Sequence, residues 1–177
     1  MSVDFSNNHF ELFDLPVGFD IDESKLTERF QTLQRSLHPD KFAAATASEK
    51  RWSIQAASLV NGAYQSLSNP LTRATYLLEL NGISVDEETD TQMDPMFLMQ
   101  QMELREAIGE AESANDPFAA LDSVRKTLKS GTRESGEQFS SAADKKDWVT
   151  ARTVVREWQF FNKLGREVKA IEARLDD

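Results

Sequence analysis

The residues of this chain that could move a proton, hold a metal or form a covalent intermediate are few, and their spacing limits what they could do. Of 177 residues, two are histidine (His9 and His38), 30 are Asp or Glu and none is cysteine. Without cysteine there are no disulfides, thiolate zinc sites, Cys-ligated iron-sulfur clusters or Cys nucleophiles. Two histidines are too few for a His-based metal cage. The carboxylate pairs Glu87/Glu88 and Glu103/Glu106 are candidates for acid-base work, yet they fall on an acidic linker and a helix face with no convergent partner group. No Gly-rich phosphate loop occurs. The expectation is a protein that is not an enzyme and carries no cofactor or metal of its own. One chemically distinctive tripeptide remains, His38-Pro39-Asp40, continued by Lys41-Phe42.

The elements that must position it are helices. Only 7 Gly and 5 Pro occur, and apolar residues recur at steps of three and four almost throughout, which predicts an all-α fold. A short helix is expected over 9–14, ended by Leu15-Pro16-Val17-Gly18. Asp22 or Ser24 caps the next, whose Leu26, Phe30, Leu33 and Leu37 form one stripe. That helix must stop near Leu37 or His38, because Pro39 disfavours helical backbone in the residue before it. A third helix begins between Ala47 and Glu49 and carries Trp52, Ala56, Leu59, Ala63 and Leu67 on one face until Asn69-Pro70. Residues 71–80 make a short apolar helix with Asn81-Gly82 as its cap. Residues 83–95 lose periodicity and turn acidic. Three longer helices are expected over about 96–113, 117–143 and 145–175, with Asp116 as N-cap and Pro117 at the first helical position of the second. Such lengths with short connections predict an antiparallel three-helix bundle. The expected organisation is one unit over 1–82, an acidic linker over 83–93 and a second unit over 94–177.

The formal net charge of −10 argues against a nucleic-acid-coating protein, which needs a broad basic face. By segment the net charge is −3 over 1–82, −8 over 83–112 and +1 over 113–177. The first 20 residues lack a basic start and an apolar run of signal-peptide length, and no stretch approaches the ~18 consecutive apolar residues of a membrane span. A cytoplasmic protein with no membrane or nucleic-acid partner is expected.

The setting of the tripeptide gives it meaning. It lies in the turn between two antiparallel amphipathic helices, and the first of them carries Lys25, Arg29 and Arg35 off its apolar stripe. This arrangement resembles the J-domain, the module that docks on a seventy-kilodalton heat-shock ATPase and triggers its ATP hydrolysis. The resemblance implies that His38, Pro39 and Asp40 are the trigger and that Arg29, Arg35 and Lys41 are electrostatic docking contacts. The blander reading is local: Pro39 stops a helix, Asp40 caps one, and the basic residues are an ordinary solvated face. Leu37 departs from the many J-domains with an aromatic residue there; on the core stripe, it alters packing more than triggering.

In the helix over 96–113, at about 100° per residue, Phe97, Leu104, Ile108 and Ala111 cluster as the core stripe. Leu98, Met99 and Met102 lie roughly 100° to 200° around the helix, beside Glu103, Glu106 and Glu110. An apolar patch edged by carboxylates away from the core has the composition of a docking surface, and flexible Met suits one. The alternative is a wide buried arc between two neighbouring helices. In the last helix Val154, Trp158, Phe161, Gly165 and Val168 keep one stripe. Phe160 sits about 120° off it, either packed against Leu164 and Ile171 or joined to the patch.

The run Ala63-Tyr64-Gln65-Ser66-Leu67, then Asn69-Pro70-Leu71-Thr72-Arg73-Ala74-Thr75-Tyr76-Leu77-Leu78, then Phe97-Leu98-Met99-Gln100-Gln101-Met102-Glu103-Leu104-Arg105-Glu106, resembles the iron-sulfur cluster co-chaperone family HscB. The resemblance extends over about 10–175. It implies an L-shaped protein whose N-terminal J-domain meets the dedicated ATPase HscA and whose C-terminal bundle binds the cluster scaffold IscU. The family's scaffold-binding positions carry onto Leu98, Met99, Met102, Glu103, Glu106, Glu110 and Phe160. By this resemblance the chain delivers the scaffold to the ATPase, stimulates hydrolysis and promotes cluster transfer. Eukaryotic members often carry a cysteine-rich module before the J-domain; this sequence has no cysteine, so the resemblance makes the bacterial type the expectation, and Gln100 stands where some members have an acidic residue. Two other readings stay open: a J-domain co-chaperone with a different or broader clientele, and a structural helical adaptor in which the tripeptide is incidental.

Overall fold

The computed structural model describes residues 3–85 and 94–176. The acidic stretch 86–93, with the Glu87/Glu88 pair and most of the expected linker, lies outside the described residues. The elements in chain order are α1 (His9–Leu12), α2 (Glu23–Leu37), a 3-10 turn (Pro39–Phe42), α3 (Ala47–Ser68), α4 (Pro70–Leu80), α5 (Pro95–Ala111), α6 (Pro117–Asp144) and α7 (Trp148–Asp176). No strand occurs among the described residues, and none of their helices is long and apolar enough to cross a membrane. The chain divides into two compact units, Met1–Asn81 and Gly82–Asp177.

In the first unit the Asp22 side chain accepts the Lys25 N–H at 2.9 Å and so starts α2. Thr46 starts α3 with a capping box closed by Glu49. Phe30 stacks on Tyr64 with centroids 3.9 Å apart, and Gln34 reaches Asn61 at 3.5 Å, so α2 and α3 run antiparallel. Their inner faces bury Leu26, Leu33 and Leu37 from α2 and Ala56, Val60, Ala63 and Leu67 from α3. The buried face of α3 thus includes Val60, whereas Trp52 and Leu59 of the expected stripe are half-buried. Arg73 on α4 is buried, donating to the Leu67 carbonyl at 2.6 Å, 3.7 Å from the Glu23 carboxylate and 5.2 Å above the Phe19 ring. One guanidinium therefore ties the end of α3 to the entry into α2. Burial lowers its pKa, an effect that Glu23 and Asp20 oppose.

In the second unit α6 and α7 are long and antiparallel. A Cβ built on Gly131 would meet the Phe161 ring at 2.9 Å, and Arg125 near the start of α6 binds Glu172 near the end of α7. Phe97 of α5 meets Phe160 and Phe161, while Glu112 just past α5 accepts from Arg174 at 2.6 Å, so α5 runs parallel to α7. The three helices enclose a core that includes Phe97, Leu104, Ile108, Leu121, Leu128, Phe161, Leu164 and Val168. The final helix begins at Trp148, three residues later than its periodicity predicts. Lys146 takes a left-handed φ of 56°, and its N–H and that of Asp147 bond back to the Ala143 and Ala142 carbonyls, which closes α6. Asp147 then caps α7 by accepting from the N–H and hydroxyl of Thr150.

Candidate functional site

In the first unit, chain stereochemistry builds the turn at the tripeptide. Pro39 forces His38 into extended backbone (φ −58°, ψ 135°), which ends α2. Pro39 then opens the 3-10 turn, where a missing N–H costs nothing. The His38 carbonyl accepts the Lys41 N–H at 3.0 Å, and His38 Nδ1 accepts the Asp40 N–H at 3.3 Å. The Asp40 carboxylate stands 3.5 Å from Nδ1 and is 91% exposed, and it caps no helix among the described residues. The cap is the histidine ring, contrary to the local reading that makes Asp40 the cap. His38, Pro39, Asp40 and Lys41 are all exposed. The neighbouring groove, about 370 Å³ in volume, is lined by Arg35, Leu37, His38, Pro39 and the α3 residues Ala57 and Val60.

The three basic residues read as docking contacts differ in environment. Lys41 is exposed and has no carboxylate partner among the described residues. Arg35 is exposed and donates through Nε to the Gln31 carbonyl at 3.3 Å. Arg29 is half-buried and lies 3.4 Å from Asp14, so part of its charge is already answered within the chain.

In the second unit, α5 turns Phe97, Leu104, Ile108 and Ala111 inward and leaves Leu98 43%, Met99 57% and Met102 72% exposed. Glu103, Glu106 and Glu110 share this outer face, and no cation pairs with them among the described residues. The wide-buried-arc alternative fails, because all three apolar side chains face solvent. Phe160 is half-buried. Its ring stands edge-on to Phe97 (5.6 Å, 80°) and at 61° to Phe161 (6.0 Å), and it packs against the core. The Arg105 guanidinium lies 5.7 Å from the centre of the same ring. Sequence reading missed Arg105, although a signal was available: it is the single basic residue in 83–112 and lies seven positions after Leu98, on the same helical face. Glu157, half-buried on α7, lines a cleft with Phe97 and Gln100. Burial first, then the nearby Asp94 carboxylate, raise its pKa.

Neither surface assembles a nucleophile, base and oxyanion donor. Among the described residues, no group of three His, Cys, Asp or Glu is spaced to hold a metal ion. Both surfaces are exposed and carry apolar or charged side chains.

The co-chaperone protein HscB homolog of Vibrio cholerae is 40% identical to this chain over 168 residues, which are 95% of this chain and 98% of the relative. The chain belongs to the HscB co-chaperone family. The family model for the HSCB C-terminal oligomerisation domain matches residues 93–169, which include α5, α6 and most of α7. A solved HscB from Vibrio cholerae superposes with a TM-score of 0.85 at 39% identity, covering 96% of this chain and 99% of that one. The human co-chaperone HscB superposes with a TM-score of 0.89 at 34% identity, covering 96% and 84%. HscB membership accounts for an N-terminal J-domain and a C-terminal helical bundle in one all-α chain.

Proposed function

We propose that this HscB-family chain is a co-chaperone of iron-sulfur cluster biogenesis, holding the scaffold IscU on its C-terminal bundle and presenting it to the heat-shock-type ATPase HscA. The observation that carries the reading is the outer face of α5, where exposed Leu98, Met99 and Met102 stand among Glu103, Glu106 and Glu110, which have no cation partner among the described residues. Phe160 extends this face, with Arg105 over its ring. Apolar anchors ringed by charge fit a protein partner whose complementary patch is apolar and basic. The exposed His38-Pro39-Asp40 turn, with Arg29, Arg35 and Lys41, is the surface assigned to the ATPase. One chain bearing both surfaces raises the local concentration of client at the ATPase without a new contact. Hydrolysis would then clamp the client and favour cluster release. The chain itself supplies binding and orientation, and no bond is made or broken on it.

Two variants separate the surfaces. His38→Gln is expected to abolish stimulation of ATP hydrolysis while scaffold affinity stays at the wild-type value. Leu98→Ala combined with Met102→Ala is expected to do the reverse, each truncation weakening scaffold binding by about 1 to 3 kcal/mol. Calorimetric titration of the scaffold and a steady-state ATPase assay read the two effects. Unchanged scaffold affinity in the double variant would sink the client assignment and favour a co-chaperone with other clients. Stimulation by the His38 variant would sink the trigger.

A further inference from the structure

The α6–α7 seam carries a groove of about 380 Å³ that no residue of α5 lines. It runs from Arg125 to Thr132 along α6 and from Phe161 to Lys169 along α7, about two helical turns or roughly 11 Å. The floor is apolar, made by Leu128, Phe161 and Val168. Gly165 lies between the last two, and a Cβ there would meet nothing within 4 Å. Cations stand on both rims, Lys129 on α6 and Arg166 and Lys169 on α7. All three are exposed, and none has a carboxylate partner among the described residues. Arg125, at one end, is already committed to Asp122 and Glu172.

We propose that this groove docks an acidic amphipathic helix of a partner protein. The placement of the charges selects that occupant. A nucleic-acid backbone would meet the cations but leave the apolar floor uncovered. A fatty-acid carboxylate needs a cation at one end, whereas here cations face each other across the trough along its length. A helix with apolar residues at three- and four-residue steps, and Asp or Glu on both flanks of that stripe, buries its stripe on Leu128, Phe161 and Val168 and meets a cation on either rim. The Lys and Arg stems extend the apolar floor while their charged heads reach the carboxylates. Without a side chain at position 165, an apolar residue of the docked helix can approach the α7 backbone closely. The groove shares no residue with the α5 face assigned to the scaffold. That face carries Glu103, Glu106 and Glu110 and repels an acidic helix, so the two partners occupy separate surfaces and can be held together.

Calorimetric titration of the purified full chain tests this without any scaffold, so its outcome is independent of the client assignment. The probe is a synthetic peptide of about 15 residues, long enough to form a helix in water. It carries leucines at three- and four-residue steps, glutamates on both flanks and lysines on the far face. A peptide of the same composition with its order scrambled, and decanoate, are titrated beside it. The amphipathic peptide is expected to bind, about tenfold more weakly when ionic strength rises from about 0.02 to 0.2 M. The scrambled peptide should bind at least about tenfold more weakly, since it presents no stripe. Lys129→Glu with Lys169→Glu should lose about tenfold or more in affinity. Gly165→Leu, which fills the trough where a Cβ has open space, should lose as much, with circular dichroism unchanged in both variants. Leu98→Ala with Met102→Ala should bind the peptide as wild type does. Absence of peptide binding overturns the proposal, as do equal binding of the scrambled peptide and groove variants that bind like wild type. Binding of decanoate alone would assign the groove to a lipid carboxylate. A sedimentation coefficient of the free chain that changes with the lysine reversals would assign it to a second copy. Either result overturns the proposal.

Discussion

His9 and Glu157 have pKa values moved by the same cause in opposite chemical senses. His9 stacks on Tyr76 with centroids 4.0 Å apart, and burial lowers its pKa against the opposing pull of Glu79. Its contribution to stability is therefore present above the ordinary histidine value and is lost as pH falls through that range. Glu157 is raised, so the folded state holds its proton more tightly than the unfolded chain does. That contribution is present at acid pH and is lost as pH rises through the raised value. Glu157→Gln keeps the shape and removes the titration; it is expected to raise Tm at about pH 8, with the gain shrinking toward about pH 4. Paired thermal melts across this range check it, and parallel pH profiles for the two proteins would contradict it. The pair Phe160 and Arg105 marks the limit of one-dimensional reading. A helical wheel places Phe160 off the core stripe but does not reveal that Phe97 of another helix supports its ring.

At the element scale, two glycines in long helices have opposite roles. Gly131 on α6 lets the Phe161 ring approach to where a Cβ would be 2.9 Å away, and Phe161 in turn meets Phe97 and Phe160. Gly131→Ala should cost about 1 to 3 kcal/mol despite better helix propensity, because a buried ring must move. Gly165→Ala meets no atom within 4 Å and should add about 0.5 to 1 kcal/mol. Urea denaturation of both variants checks the contrast; equal effects would mean that α6 and α7 pack less closely than the ring contact implies. Helix positions and most caps were legible from Pro, Asn, Asp and Gly placement. The start of α7 was not, since a lysine in left-handed backbone carries no sequence mark of the kind that glycine does.

At the scale of the whole molecule, two units with separate cores divide the labour proposed for the chain. The second unit has its own continuous core, and a fragment spanning 82–177 is expected to bind the scaffold with near wild-type affinity. It should fail to stimulate the ATPase on that scaffold, since tethering requires both surfaces on one chain. Binding titrations and ATPase assays with the fragment and the full chain check this, after circular dichroism establishes that the fragment is helical. Stimulation by the fragment alone would remove the need for the first unit. The net charge of −8 over 83–112 also predicts that scaffold affinity falls with added salt.

Composition and spacing alone determined the all-α class, the helical hairpin around His38-Pro39-Asp40, the separation of Leu98, Met99 and Met102 from the α5 core stripe, and the family resemblance. They did so because helix periodicity, proline stereochemistry and residue type are local properties of the chain. Tertiary structure decided that the His38 ring, not Asp40, caps the turn, that Arg29 is shared with Asp14, that Arg105 covers Phe160, and that α6 and α7 leave a basic groove beside Gly165. Each of these depends on side-chain geometry or on where a partner comes to lie in space, which periodicity along a single helix does not encode.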